Sequence, residues 1–176
     1  KPILWFRVKD RYISKIDELF SINYQKFESK SNYIAFKDYS IEIDRYLKNG
    51  TILSQSPGSG LVVDLLNINK SDKIIDACAA PGGKAKCILE LSNCSESVCI
   101  NDYNKTRYLK MKNELGKTRA SIINLDASRD KFPKADKILV DVPCSSTGTI
   151  QKNPDIKWKE IDMIALADMQ RKILQN

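Results

Sequence analysis

The chain has 176 residues, 42% of them hydrophobic, enough for one medium domain or a small domain joined to part of a larger one. No apolar run reaches the ~18 residues needed to span a bilayer, the start carries no signal-peptide pattern, and histidine is absent, which removes Ser-His-Asp and Cys-His chemistry from this chain along with the commonest metal ligand. Lys and Arg number 29 against 22 Asp and Glu, a charge of +7 that favours encounter with polyanions, although scattered lysines on any basic domain produce the same excess.

Residues 3–8, Ile-Leu-Trp-Phe-Arg-Val, read as a strand, and residues 14–20 place apolar side chains at helical spacing. A second strand is expected at 33–36 and a short helix at 40–47, closed by the stop signal Asn49-Gly50. These elements make a small α/β unit. The polar, turn-rich run Ser54-Gln55-Ser56-Pro57-Gly58-Ser59-Gly60 follows, and the pattern changes beyond it, so the expected division is 1–55 and 56–176. The chain opens without Met on an apolar run and stops inside a helical pattern, and is expected to be a piece of a longer protein.

Strands at 73–77, 97–101, 120–125 and 137–141, with helices at 83–91 and 105–115, predict a parallel sheet of the doubly wound α/β class. Ligands of such sheets sit beyond the carboxyl ends of the strands. The first strand leads into Asp76-Ala77-Cys78-Ala79-Ala80-Pro81-Gly82-Gly83-Lys84. Its small residues let backbone approach a ligand, and the free amides of the helix start attract negative groups. The run is neither G-x-G-x-x-G nor a P-loop, and a plain strand-to-helix turn is the simpler reading of Pro-Gly-Gly alone.

The second strand ends at Asn101-Asp102, where an acid in this fold accepts hydrogen bonds from an adenosine ribose or else caps the next helix, a duty Asn104 could share. Asp126 follows the third strand, within reach of an adenine amino group or as a turn cap. The fourth strand delivers Asp141-Val142-Pro143-Cys144-Ser145-Ser146-Thr147-Gly148-Thr149-Ile150, poor in fold-forming residues and rich in site-building ones. The five cysteines, Cys78, Cys87, Cys94, Cys99 and Cys144, include no C-x-x-C pair, so a disulfide framework and a zinc ribbon do not fit and a reducing cytoplasm does. Cys87, Cys94 and Cys99 read as small buried hydrophobes, whereas Cys144 sits in the partly exposed setting where a thiolate can react.

Together, the stretches at 76–84 and 141–150 resemble the cofactor and active-site motifs of the Sun (Fmu) family of RNA cytosine-C5 methyltransferases. The segment Asn153-Pro154-Asp155-Ile156-Lys157-Trp158 resembles one typical of the family's bacterial enzymes for small-subunit (16S) ribosomal RNA. The resemblance covers essentially the whole chain and is looser before residue 50. It implies a Rossmann-like S-adenosylmethionine-dependent methyltransferase sheet, incomplete here at its first four strands, preceded by a small RNA-binding α/β subdomain. It also implies that Cys78, Ala79, Ala80, Pro81, Gly82, Gly83 and Lys84 wrap the methionine part of the cofactor, with Asp102 on its ribose, Asp126 on its adenine, and Asp141 between cofactor and base. One departure is the absence, in the run 55–60, of the Asp that the family often carries after Gln.

Cytosine C5 is too weak a nucleophile to take a methyl group until a thiolate adds to C6. Read from the chain alone, Cys144 is that thiolate. The resemblance implies instead a second cysteine in a Thr-Cys motif, with Cys144 assisting product release, and no Thr-Cys occurs in these 176 residues. The nucleophile is therefore expected beyond residue 176, and the fragment alone is expected to be inactive. A cytoplasmic monomer acting on ribosomal RNA, with no metal and no membrane, is the resulting expectation. Transfer RNA or large-subunit RNA as substrate, and a non-catalytic RNA-binding module, are the alternatives.

Overall fold

The computed structural model describes residues 3–20, 23–92, 95–151 and 153–176, so the reading of Cys94 as a buried hydrophobe lies outside the described residues. The chain divides into two compact units, Lys1–Val62 and Val63–Asn176. No helix among the described residues is long and apolar enough to cross a membrane.

The first unit is a four-stranded antiparallel sheet in the order β2-β3-β1-β4, formed by β1 (Leu4–Val8), β2 (Tyr24–Phe27), β3 (Lys30–Phe36) and β4 (Ile52–Ser54). Residues 14–20, expected as one helix, divide between a 3-10 segment, Asp10–Lys15, and a single turn, α1 (Ile16–Leu19). Strands β2 and β4 escape the sequence pattern: the register of β2 shifts at Lys26/Phe27, which breaks the two-residue period, and β4 is three residues long and runs into the turn-rich stretch. Helix α2 (Ile41–Lys48) starts where Ser40 accepts from the Ile43 amide at 3.4 Å. It ends where Gly50 takes φ of +72° and Asn49 Oδ1 accepts from the Thr51 amide at 2.9 Å. Its buried Ile43 and Tyr46 join Phe6, Val8, Phe20, Ile34, Phe36 and Ile52 in one core.

The run 54–60 is not a loose connection, because Pro57 opens helix α3 (Pro57–Asp64). Tyr33 is fully buried, its hydroxyl donates to Gln55 Oε1 at 3.0 Å, and a Cβ added to Gly60 would come within 1.6 Å of that hydroxyl. Glycine at 60 is thus set by close approach to an aromatic ring.

The second unit is a parallel sheet in the order β7-β6-β5-β8, with β5 (Ile74–Asp76), β6 (Val98–Asn101), β7 (Ser121–Ile123) and β8 (Lys137–Leu139). Helices α4 (Gly83–Leu91) and α5 (Lys105–Leu115) follow β5 and β6 at the expected positions. Apolar side chains of both, with Ile74, Val98, Ile100 and Leu139 from the strands, form the main core. Cys87 and Cys99 are buried as expected of small hydrophobes. The sheet is the expected doubly wound arrangement, and its winding reverses between β5 and β8, the position where such folds open a crevice. The last helix, α6 (Met163–Gln175), is capped by Asp162, which accepts from the Ile164 and Ala165 amides at 3.0 Å.

Candidate active site

The carboxyl ends of β5, β6, β7 and β8 present Asp76, Asn101, Asn124 with Asp126, and Asp141. The loop after β5 is shaped by its neighbours: the Ala77 amide donates to Leu139 O at 2.9 Å, the Ala79 amide to Asn101 O at 2.8 Å, and the Gly82 amide to Ala79 O at 2.7 Å. Gly82 stands at φ of +98°, which only glycine adopts without strain, and serves as the N-cap of α4. Ala80–Pro81 is a cis peptide.

Asn101 binds the strand ends together. It is fully buried, and its side-chain amide donates to Ala77 O at 2.8 Å and Leu125 O at 3.1 Å while its Oδ1 accepts from the Leu125 amide at 2.8 Å. A short amide at a strand end satisfies three backbone groups of two loops that no strand can reach. Asn124 does the same outside the sheet, donating to Asp102 O at 2.6 Å and Tyr103 O at 2.8 Å. Neither role carries a sequence motif.

Asp102 is buried, yet its oxygens are engaged: Oδ2 accepts from the Ala80 amide at 3.2 Å, and Oδ1 from the Asn104 amide at 2.9 Å with Arg107 Nη2 at 3.3 Å. Helix α5 is capped by Asn104, which accepts from the Arg107 amide at 3.0 Å, leaving Asp102 free of that duty. Asp126 closes its own turn, with Oδ1 accepting from the Ser128 amide at 3.0 Å and hydroxyl at 2.6 Å, and Oδ2 pairing with Arg129 Nε at 2.8 Å. The Ser128 bonds, with Arg129 beside them, hold its carboxyl below the usual carboxylate range.

Asp76 is fully buried, and neither carboxylate oxygen meets a hydrogen bond of regular geometry, the Cys78 amide approaching it less favourably. Burial first, and then the nearby charge of Asp141, push its pKa up to about 7, with Lys84 and the Cys78 amide only partly opposing. The same surroundings act on half-buried Cys78: burial, then Asp76, Asp102 and Asp141, raise its thiol to about 11, so Cys78 stays protonated and is no nucleophile near neutral pH.

Lys84, in the first turn of α4, reaches across to Asp141, Nζ to Oδ2 at 2.6 Å. Beyond Asp141, Cys144 is exposed, with its Sγ facing the Ser146 amide at 3.4 Å, and Ser146 itself adopts φ of +59°. Gln170 of α6 steadies this segment by donating to Pro143 O at 2.7 Å. In the segment 153–158, Ile156 is buried and Trp158 is 87% exposed. Among the described residues no group of three or more His, Cys, Asp or Glu side chains is arranged to hold a metal ion.

The family model described as 16S rRNA methyltransferase RsmB/F matches residues 63–176, the extent of the second unit. Among curated proteins, the chain is 30% identical over 190 residues to ribosomal RNA small subunit methyltransferase B of Shewanella oneidensis, covering all of this chain and 44% of that protein. It is 38% identical over 136 residues to the protein of that name from Vibrio cholerae, covering 71% of this chain and 30% of the relative. The chain thus spans less than half the length of these curated relatives. Among solved structures, PH0851 superposes with a TM-score of 0.79 at 24% identity, over 99% of this chain and 43% of that one. NSun6 from Pyrococcus horikoshii with SFG superposes with a TM-score of 0.77 at 17% identity, over 98% of this chain and 71% of that one. At these identities the structures establish the fold.

Proposed function

The chain belongs to the 16S rRNA methyltransferase RsmB/F family, and from that membership we propose that the protein methylates cytosine C5 in small-subunit ribosomal RNA with S-adenosylmethionine, the first unit serving as an RNA-binding subdomain. The observation that carries this reading is the Lys84–Asp141 pair, which ties the first turn of the helix after the glycine loop to the strand-end segment that carries Cys144.

The residues fit the cofactor. Small side chains at 79, 80, 82 and 83 leave the backbone approachable, and a buried carboxylate without a hydrogen bond of regular geometry, Asp76, ends the strand that leads into the loop. Asp102 retains a free lone pair on Oδ2 for a ribose hydroxyl, and a second hydroxyl needs Arg107 to move from Oδ1. Bound there, S-adenosylmethionine supplies an electrophilic methyl group. Cys78 through Lys84 are assigned to its methionine end and Asp126 to its adenine. Asp141, half-exposed and paired with Lys84, is assigned to orienting the exocyclic amine of the target cytosine. Cys144, exposed three residues beyond Asp141, is assigned to removal of the product from a thiol–C6 adduct, the attacking thiol being a different cysteine of the full-length protein.

The test is methyl transfer by the full-length protein to 16S RNA carrying cytosine tritiated at C5. Tritium release in step with methyl incorporation is the expected result, since substitution at C5 expels that hydrogen. Methyl incorporation without release would refute C5 chemistry. Transfer RNA or large-subunit RNA as the better acceptor would refute the substrate, and cofactor-independent RNA binding with no transfer would leave a binding module.

A further inference from the structure

We propose that the solvent face of α5 and the turn after it, residues 103–119, is a docking surface for the phosphate backbone of RNA flanking the target base. This rests on the RNA substrate of the preceding reading and adds to it a surface that none of the site residues occupies.

Residues 63–176 hold 19 Lys and Arg against 15 Asp and Glu; six of the former and one of the latter fall within 103–119, leaving 13 against 14 for the rest. The positive excess of the second unit is therefore the property of one helix and its exit. Three of the six basic residues are committed nearby: Arg107 leans on Asp102 at 3.3 Å, Lys112 donates to the Tyr108 hydroxyl at 3.2 Å, and Arg119 pairs with Glu96 at 2.8 Å. Lys105, Lys110 and Lys117 are exposed and have no acidic partner among the described residues.

Folding requires none of this charge. The helix is anchored by Met111 and Leu115, both buried, and capped by Asn104, so the lysines sit on the side that makes no core. The 11 residues of α5 extend for about 16 Å from the carboxyl end of β6, beside Asp102, so the basic face begins at the rim of the crevice. Interleaved with it are Tyr103, 66% exposed, and Leu109, 49% exposed. An open ring among cations suits unpaired bases, which stack on aromatic faces while phosphates meet ammonium groups. An acidic protein partner would use the charge but not the ring.

The experiment compares the full-length protein with its triple variant Lys105→Glu, Lys110→Glu, Lys117→Glu, measuring binding of a 16S hairpin with an unpaired cytosine across a salt series, and cofactor binding by calorimetry. Loss of three phosphate contacts lowers hairpin affinity by about tenfold or more at low salt and flattens the plot of log K against log salt by ~2. A triple Lys→Gln variant, which adds no repulsion, shifts both in the same direction by less. Hairpin affinity and salt slope equal to wild type in both variants, with wild type binding normally, overturns the surface alone. Wild type that binds cofactor but no RNA overturns the function and the surface with it. Variants that lose a polyglutamate peptide and keep the hairpin overturn RNA as the occupant.

Discussion

Asn101 and Leu125 exchange a reciprocal pair of hydrogen bonds, the Asn101 side-chain amide to Leu125 O at 3.1 Å and the Leu125 amide to Asn101 Oδ1 at 2.8 Å. The same side chain also holds Ala77 O at 2.8 Å, so one residue on β6 fixes the exits of β5 and β7. Replacing it with Leu strands three backbone groups, and each buried group left without a partner costs ~1 to 3 kcal/mol. Urea unfolding of Asn101→Leu should show a loss of about 3 kcal/mol or more, and a loss under ~1 kcal/mol would mean that water takes over the bonds.

Asp76 gives stability a pH dependence of the less common sign. Its folded pKa of about 7 lies above the ordinary value of 3.8, so between those limits the folded state keeps a proton that the unfolded state releases. Stability therefore falls as pH rises from about 4 to about 7 and is flat beyond, by up to roughly 4 kcal/mol in all. Asp76→Asn removes that slope. Thermal melts should show the variant gaining on wild type between pH 5 and pH 8, and a constant difference would show that the ionised carboxylate is compensated.

Lys84→Met separates folding from chemistry. Asp141 is 54% exposed, so the ion pair contributes less than about 1 kcal/mol to stability. Its geometric role is larger, since misplacing a group at a reacting centre by ~1 Å costs on the order of 100-fold. Methyl transfer by full-length Lys84→Met should fall on that scale with the melting temperature nearly unchanged, and Lys84→Arg should recover part of it. Removing the cation also lifts Asp76 further, which extends the stability slope above pH 7. Unchanged transfer rates would reduce the pair to a surface contact.

Cys144→Ala distinguishes release from attack. With the full-length protein, labelled RNA and S-adenosylmethionine, the variant is expected to accumulate a covalent protein–RNA band on a denaturing gel, because the attacking thiol still adds and transfer still occurs. No band, with RNA and cofactor binding intact, would make Cys144 the nucleophile. Asp141→Ala should suppress the band in either case.

The second unit was legible because α4 and α5 are long enough to carry a helical period, because short apolar strand runs alternate with them, and because the chemistry-bearing residues cluster at strand ends. Asp76, Asp102, Asp126 and Asp141 all stand where the alternation of elements placed them. The partners of those residues were not legible. Nothing in the letters distinguishes Asn101 from any polar strand end, or says that Asp126 meets Ser128 and Arg129, since these depend on which loops the sheet brings side by side. In the first unit the failures were of period: a bulge in β2, a three-residue β4, and a helix beginning inside a run of Ser, Pro and Gly.

That last helix changes how the protein can be taken apart. A protease or a gene truncation aimed at 54–60 as though at a hinge meets Gly60 pressed against the Tyr33 ring and Gln55 buried with the Tyr33 hydroxyl on it. Cleavage there uncovers an aromatic ring of the sheet rather than freeing two stable halves.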